Sequence, residues 1–286
     1  MPLVGEAGVL GALTVVSVSR AFEQSDVSFA ERLAGHAAAV VDNARRYEAT
    51  LQTSQVLQQS LLPQSLPNIP GLTVAFRYLP ATRGLEVGGD FYDLVRMPDG
   101  RACFAIGDVA GHDRKAAALI GQLRSATRVL LGQVHHPGEL IVALRRSWSL
   151  LGFDRIATAM FALLDPASGE LLLASAGHEQ PLLVEPGATR YLPVAPTPVL
   201  GVPGDESSCW GGTLLADQVL VLFTDGAVEE RTEGVIPGLE RLARAASEGA
   251  LHPEAVCDPI VSGLPAERHD DVCLLALALH DAAIPL

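Results

Sequence analysis

The chain has little lysine, few aromatic residues and no clustered cysteines, and each shortage excludes something. Lys115 is the single lysine, and 33 acidic residues outnumber 20 basic ones, for a formal charge of −13. A protein that binds a phosphate backbone carries a basic face, so no nucleic-acid partner is expected. Docking on an anionic membrane is disfavoured for the same reason. Cys103, Cys209, Cys257 and Cys273 are too far apart in sequence for a CxxC knuckle or redox pair. Cys103 and Cys273 sit inside apolar runs, where a small buried thiol is the plain reading, and a reducing cytoplasm fits. No uncharged apolar run approaches the ~20 residues that span a bilayer. The stretch 8–19 comes nearest to a signal sequence, but it follows Glu6 and has no basic start. Aromatics are 5% against 49% hydrophobic residues, so the core is aliphatic. A length of 286 residues suggests about two domains.

What is present divides near residue 70. Residues 8–19, GVLGALTVVSVS, are rich in β-branched residues and read as a strand. Beyond Ser25 and Asp26, either of which could cap, Val27, Ala30, Leu33, Ala34, Ala37, Val40, Val41 and Ala44 recur at helical spacing. The helix runs to about Leu62, where Pro63, Pro67 and Pro70 stop it. From Leu72 onward strand-like runs fall at 72–79, 86–95, 101–107, 156–164, 169–175, 181–184, 217–223 and 271–279. Helical patterns lie at 114–132, 138–151, 237–248 and 252–263. Strands come in hairpin-like clusters, turning for example at Pro98-Asp99-Gly100, with helix pairs between them. That order argues an α+β class with antiparallel sheets covered by helices.

The informative residues are carboxylates at the ends of apolar strands: Asp90 in EVGGDFYD, Asp108 in FAIGDVAGHD, Asp225 in VLVLFTDGAVEE, and the pair Asp270-Asp271 in RHDDVCLLAL. Taken singly, an Asp-Gly after a strand is a turn and an Asp-Asp before one is a solvated cap. Four together at the rims of core strands would repel one another unless cations lay between them. Hard oxygen ligands suit Mg²⁺ or Mn²⁺. Two such ions form a device for in-line attack on a phosphate ester.

At these residues the chain resembles a family. The segments VLQQSLLPQSLPNIPGLTVAFRYLPA, VGGDFYD, IGDVAGH, TAMFALLD, ASAGHEQPLL, LFTDGAVEE and HDDVCLLAL stand in the order of the SpoIIE-type branch of the metal-dependent, type 2C-like (PPM) protein serine/threonine phosphatases. The resemblance covers roughly residues 56–280 and implies a four-layer αββα sandwich, two antiparallel sheets flanked by helix pairs. It implies a binuclear Mn²⁺ or Mg²⁺ centre, held by Asp90, by Asp108 as the bridging ligand, by the Val109 carbonyl, by Asp225, and by Asp270 with Asp271 as its alternative. It implies hydrolysis of a phosphoserine or phosphothreonine by a water activated between two ions. The implied substrate is a phosphorylated anti-anti-sigma factor of the STAS type in bacterial partner switching. The alternative is a weak or inactive phosphatase fold that only binds partners. Residues 1–47 resemble the C-terminal end of a GAF sensor domain, 48–70 a helical linker and 71–281 the phosphatase. A homodimer through the N-terminal helix is a further expectation.

One position departs from the pattern. The family reads GHG where this chain has Gly111-His112-Asp113. A residue in the left-handed region would strain an aspartate modestly, whereas at the start of the next helix Asp113 would cap it. We favour the cap. His112 and His178 are expected to orient loops by local hydrogen bonds, and Arg83 is a candidate contact for substrate phosphate. A packing face of Leu119, Leu123, Thr127 and Leu130 is expected on the helix after Asp113. A shift of that helix could move the Asp108 loop.

Overall fold

A computed structural model describes the chain apart from residues 19, 64, 83–87, 112, 230–233 and 281–286, and apart from the side chains of 50–61 and 114. Two compact units divide between Val56 and Leu57.

The first unit is a hairpin and a helix. β1 (Pro2–Gly5) pairs antiparallel with β2 (Gly8–Ala12), and α1 spans Gln24–Leu61. The single strand expected over 8–19 is therefore shorter and has a partner before it. The helix also starts earlier than the Ser25 or Asp26 cap would place it. Asp26 lies in the first turn and accepts from the Glu23 backbone N–H at 2.9 Å, the return half of a capping box. Ala30, Ala34 and Ala38 form a buried stripe of small residues at a spacing of four.

The second unit carries two sheets. One contains β4 (Asp90–Arg96), β5 (Ala102–Val109), β6 (Ala157–Leu164) and β7 (Glu170–Ala176), ordered β7-β6-β5-β4. The other contains β3 (Leu72–Leu79), β8 (Leu182–Glu185), β9 (Ala188–Tyr191), β12 (Val219–Phe223) and β13 (Val272–Leu279), ordered β3-β13-β12-β8-β9. Two short strands complete the first sheet, both on β7: β10 (Pro196–Thr197) in parallel and β11 (Trp210–Thr213) antiparallel. β9, β10 and β11 had no sequence signal. They are two to four residues long and borrow their partners' order rather than showing a pattern of their own.

Alternation along β13 shows why the sheets stack. Cys273, Leu275 and Leu277 join the core between the sheets with Phe104 and Ile106 of β5. Val272, Leu274, Ala276 and Ala278 point the other way, into a second core under α4 (Val235–Ala246) and α5 (Pro253–Ser262). A strand apolar on both faces must be covered twice. Each large side chain fully buried there is worth about 1.5–3 kcal/mol. α2 (Arg114–Leu131) and α3 (Pro137–Ser147) cover the other sheet through β4, β5, β6 and β7. The layers are therefore helix pair, sheet, sheet, helix pair, as the α+β reading required. Leu119, Leu123 and Thr127 are buried on α2 and Leu130 is partly buried. Proline starts both α3 and α5, where its missing N–H costs nothing.

Candidate metal centre

The antiparallel register places the acidic strand ends together. Asp90 opens β4 and stands directly across from Asp108 near the end of β5, which in turn stands across from Thr158 of β6. Period-two alternation puts Asp90 on the same face as Tyr92, whose ring stacks on Phe76 of the other sheet at 5.2 Å. Asp90 and Asp108 therefore face the space between the sheets. From the opposite sheet, Asp225 follows β12 and Asp270-Asp271 precede β13, at the same end of an antiparallel pair.

Hydrogen bonds stitch this rim. Thr224 Oγ1 donates to Asp90 Oδ2 at 2.7 Å and accepts from the Cys273 N–H at 2.9 Å. Asp271 is buried, with Tyr78 Oη donating to its Oδ2 at 2.6 Å and the Ala81 N–H to its Oδ1 at 2.7 Å. Asp270 is exposed and accepts from the Asp271 N–H at 2.8 Å. The Val109 N–H donates to the Gly89 carbonyl at 2.9 Å. Two glycines make this approach possible. A Cβ on Gly88 would overlap the Asp271 carboxylate, and one on Gly89 would overlap Asp108 Oδ1 and the Val109 carbonyl.

The electrostatics show how close the acids are. Burial pushes the Asp90 carboxyl well above the usual range, and Asp108 and Asp271 push it further, against the Thr224 hydrogen bond. Burial, with Asp225, Asp270 and Asp271, pushes Asp108 up to about 8. Asp225 is raised by burial, with Glu229 adding to it. Glu179, which follows His178 in the segment ASAGHEQPLL, is raised by burial and then by Asp225 and Glu229, so the acidic rim extends past the expected set. Carboxylates raised by burial, and further by one another, suit divalent cations in both charge and donor hardness. The residues fit such a group. Among the described residues, no three His, Cys, Asp or Glu side chains close on one point as a preformed chelate. Asp90 and Asp271 are turned toward the protein donors named above.

The remaining expected residues divide. His178 is buried, its Nδ1 lies 3.0 Å from Thr158 Oγ1, and its backbone N–H and carbonyl both bond Ser175 Oγ at 2.9 Å. Burial pushes its imidazole down to about 4, and the Phe223 backbone opposes this. The ring therefore sits beside the row Asp90–Asp108–Thr158, held through Thr158 and Ser175. His112 and Arg83 lie outside the described residues. Asp113 is the N-cap of α2, with an extended φ of −127°, and its Oδ1 accepts from the Lys115 and Ala116 N–H groups at 2.8 and 3.0 Å. The left-handed position in that loop belongs instead to Gly111, at φ +102°. Nothing in the sequence singles out Thr224, Tyr78, Thr158 and Glu179, because a polar residue inside a strand or just beyond its end carries no signal until the register is known.

Paired sheets between helix pairs are the fold of the PP2C-type domains. Residues 98–280 match the family of the stage II sporulation protein E (SpoIIE), more than half of the chain, and the chain belongs to that family. It is similar to the RsbU and RsbW domains of Rv1364c from Mycobacterium tuberculosis, at 30% identity and a TM-score of 0.70, over 78% of this chain and 65% of that one. The SiaA-PP2C domain of Pseudomonas aeruginosa shares the fold, at a TM-score of 0.66 and 18% identity, over 84% of this chain and 98% of that one. Protein IcfG of Synechocystis sp. PCC 6803 is 25% identical over 223 residues, which are 68% of this chain and 34% of IcfG. The chain thus spans about a third of that curated relative. No helix among the described residues is long and apolar enough to cross a membrane.

Proposed function

We propose that this chain hydrolyses phosphoserine or phosphothreonine esters on a protein, at the carboxylate rim between its sheets. The observation that carries this is the cross-strand pair Asp90–Asp108, faced by Asp225 and Asp270 from the other sheet. Asp90, Asp108, the Val109 carbonyl, Asp225 and Asp270 would hold two divalent cations, Mn²⁺ or Mg²⁺. When bound, such ions lower the pKa of water and neutralise charge on a phosphoryl group. The chain's own side chains set the stage. Thr224 fixes the Asp90 carboxylate, Thr158 and His178 hold the adjoining strand end, and Gly88 and Gly89 let the backbone close on Asp271 and Asp108. Between the last two acids, Asp270 is the better ligand, because both oxygens of Asp271 already accept from Tyr78 and Ala81. No covalent enzyme intermediate is needed. Cys103 and Cys257 are buried thiols pushed up to about 12, which leaves them poor nucleophiles.

The proposed substrate is a phosphorylated STAS-type anti-anti-sigma protein, a reading supported by likeness to the RsbU and RsbW domains of Rv1364c. The reading of residues 1–47 as the end of a GAF-like domain stays a proposal, supported by the hairpin and helix found there. A homodimer through α1 is supported by Phe29, Leu33, Val40 and Tyr47. These are 62%, 46%, 69% and 48% exposed, with Leu33, Val40 and Tyr47 seven residues apart. Asp113, where the chain departs from the family pattern, has its charge engaged by the α2 N-terminus and by Arg155.

Manganese-dependent turnover of p-nitrophenyl phosphate tests the activity. Asp108→Asn and Asp225→Asn should each abolish it; retained turnover in both overturns the site. Faster hydrolysis of a phosphorylated STAS protein than of the small ester supports the substrate, and equal rates argue against it.

A further inference from the structure

The loop that follows Asp108 is held by a residue no motif contains. Arg155 precedes β6 by two positions. Its Nη1 donates to the Ala110 carbonyl at 3.0 Å, and its Nη2 donates to Asp113 Oδ2 at 2.7 Å. The guanidinium lies against Gly111, where a Cβ would overlap Nη1. The backbone of the same segment is anchored on both sides. The Arg155 carbonyl accepts from Trp148 Nε1 at 2.9 Å, and the Ile156 carbonyl accepts from the Ala110 N–H at 3.0 Å. One residue earlier, Asp154 reaches Lys115 Nζ at 3.5 Å, so both charges of the 154–155 dipeptide face the first turn of α2. Asp113 serves two partners at once: Oδ1 caps the helix and Oδ2 receives Arg155.

We propose that Arg155 is a positioning residue for the Asp108–Val109 end of β5, acting through the Ala110 carbonyl and Asp113. The planar fork of an arginine spans two acceptors that a lysine would meet only one at a time. It joins the exit of β5, the start of α2 and the entry of β6 into one body. Val109 stands across from Ala157, so this body includes the backbone carbonyl assigned to the metal. With a glycine at 113 the guanidinium would keep only the carbonyl. The aspartate therefore adds a second anchor to the clamp in this chain. Arg155 and Asp113 are 22% and 51% exposed at their side chains, so the ion pair itself is a weak source of stability. Its effect is geometric, on where the Val109 carbonyl and Asp108 sit. The metal arm of this proposal rests on the phosphatase reading of the site; the loop arm does not.

The test uses the whole chain with Arg155→Ala, Arg155→Lys, Asp113→Asn and Asp113→Gly. Amide hydrogen exchange is followed without metal, Mn²⁺ binding by calorimetry with Mn²⁺ alone, and turnover against Mn²⁺ concentration. Arg155→Ala should speed exchange across 109–117 while β13 stays protected. It should weaken Mn²⁺ binding about tenfold, the scale for partners that orient metal ligands. Half-saturating Mn²⁺ should rise more than turnover at saturation falls. Arg155→Lys should recover part of both effects. Asp113→Asn, which keeps an acceptor for the cap, should weaken binding about threefold, the size of an exposed ion pair. Combined with Arg155→Ala it should add nothing further, because the two act as one unit. Unchanged exchange and unchanged binding in a folded Arg155→Ala protein overturn the proposal. If that variant does not fold, the two Asp113 variants carry the same comparison. A wild-type chain that takes up no Mn²⁺ overturns the reading of the metal site, and the exchange measurement still decides the clamp.

Discussion

Thr224, one residue past β12, and Asp90, the first residue of β4 in the other sheet, share one hydrogen bond, Thr224 Oγ1 to Asp90 Oδ2 at 2.7 Å. The same hydroxyl accepts from the Cys273 N–H, so it fixes a buried carboxylate and closes the β12–β13 ladder at once. Thr224→Val keeps the shape and removes the donor and the acceptor. A buried polar group left without its partner costs about 1–3 kcal/mol, and urea unfolding of the metal-free protein should show that loss. Thr224→Ser should recover most of it. Equal stability of the valine variant and the wild type would show that water or another group satisfies Asp90.

Asp270 and Asp271 are neighbours with opposite environments, one exposed and one buried under Tyr78 and Ala81. Asp270→Asn should weaken Mn²⁺ binding with little change in melting temperature. Asp271→Asn and Tyr78→Phe should do the reverse, since they disturb a buried hydrogen-bonded carboxylate. Calorimetry and thermal melts read the two effects separately. Strong loss of binding with Asp271→Asn alone would exchange the two roles.

Proton linkage gives a third prediction. Asp108 is raised to about 8, so the metal-free folded state holds a proton that the unfolded chain has released. Its contribution is full below the unfolded carboxylate pKa and is lost as pH rises through about 8. Metal-free stability should therefore fall over that window, and Mn²⁺ affinity should rise as the competing proton leaves. His178 acts in the opposite sense. Held down to about 4, it contributes stability above the unfolded imidazole pKa near 6.5 that is lost as pH falls through 4, at most about 3 kcal/mol. In His178→Gln the acid limb of the stability profile should flatten. Stability against pH in a chelator, with and without that substitution, measures both limbs.

Asp93 lies three residues past Asp90 and faces the opposite way, toward α2. Arg128 donates to it from Nε at 2.9 Å and from Nη2 at 2.8 Å, and Arg124 Nη2 reaches it at 3.3 Å. Asp93 is buried but Arg128 is half-exposed, so losing these charge-assisted hydrogen bonds should cost about 1.5–3 kcal/mol rather than the full penalty of a buried ion pair. Asp93→Ala should lose stability on that scale by urea unfolding. A loss below about 1 kcal/mol would mean that the arginines reach water once freed.

Much of this protein was legible in its sequence, for physical reasons that differ by element. The strands at 72–79 and 156–164 run within a residue of where β3 and β6 lie, since long, largely apolar runs admit few alternatives. α2 and α3 begin beside a capping side chain, Asp113 and His136, and that local chemistry needs no tertiary contact. The first strand was misjudged because its β-branched run, Thr14 to Val18, continues past the hairpin that ends at Ala12. Propensity does not mark where a partner strand ends.

The sequence alone determined the identity of the acids, their place at the ends of apolar strands, and the order of the motifs that carry the family resemblance. These are properties of local composition and spacing. Only the tertiary structure decided which acids face each other, because register and sheet stacking turn Asp90 toward Asp108 and Asp93 toward α2. It also decided that Asp271 is held by Tyr78, that Thr224 reaches across to Asp90, and that Arg155 closes on Asp113. Those pairs lie 193, 134 and 42 residues apart in the chain, beyond any local pattern, and exist only once two sheets and two helix pairs have packed.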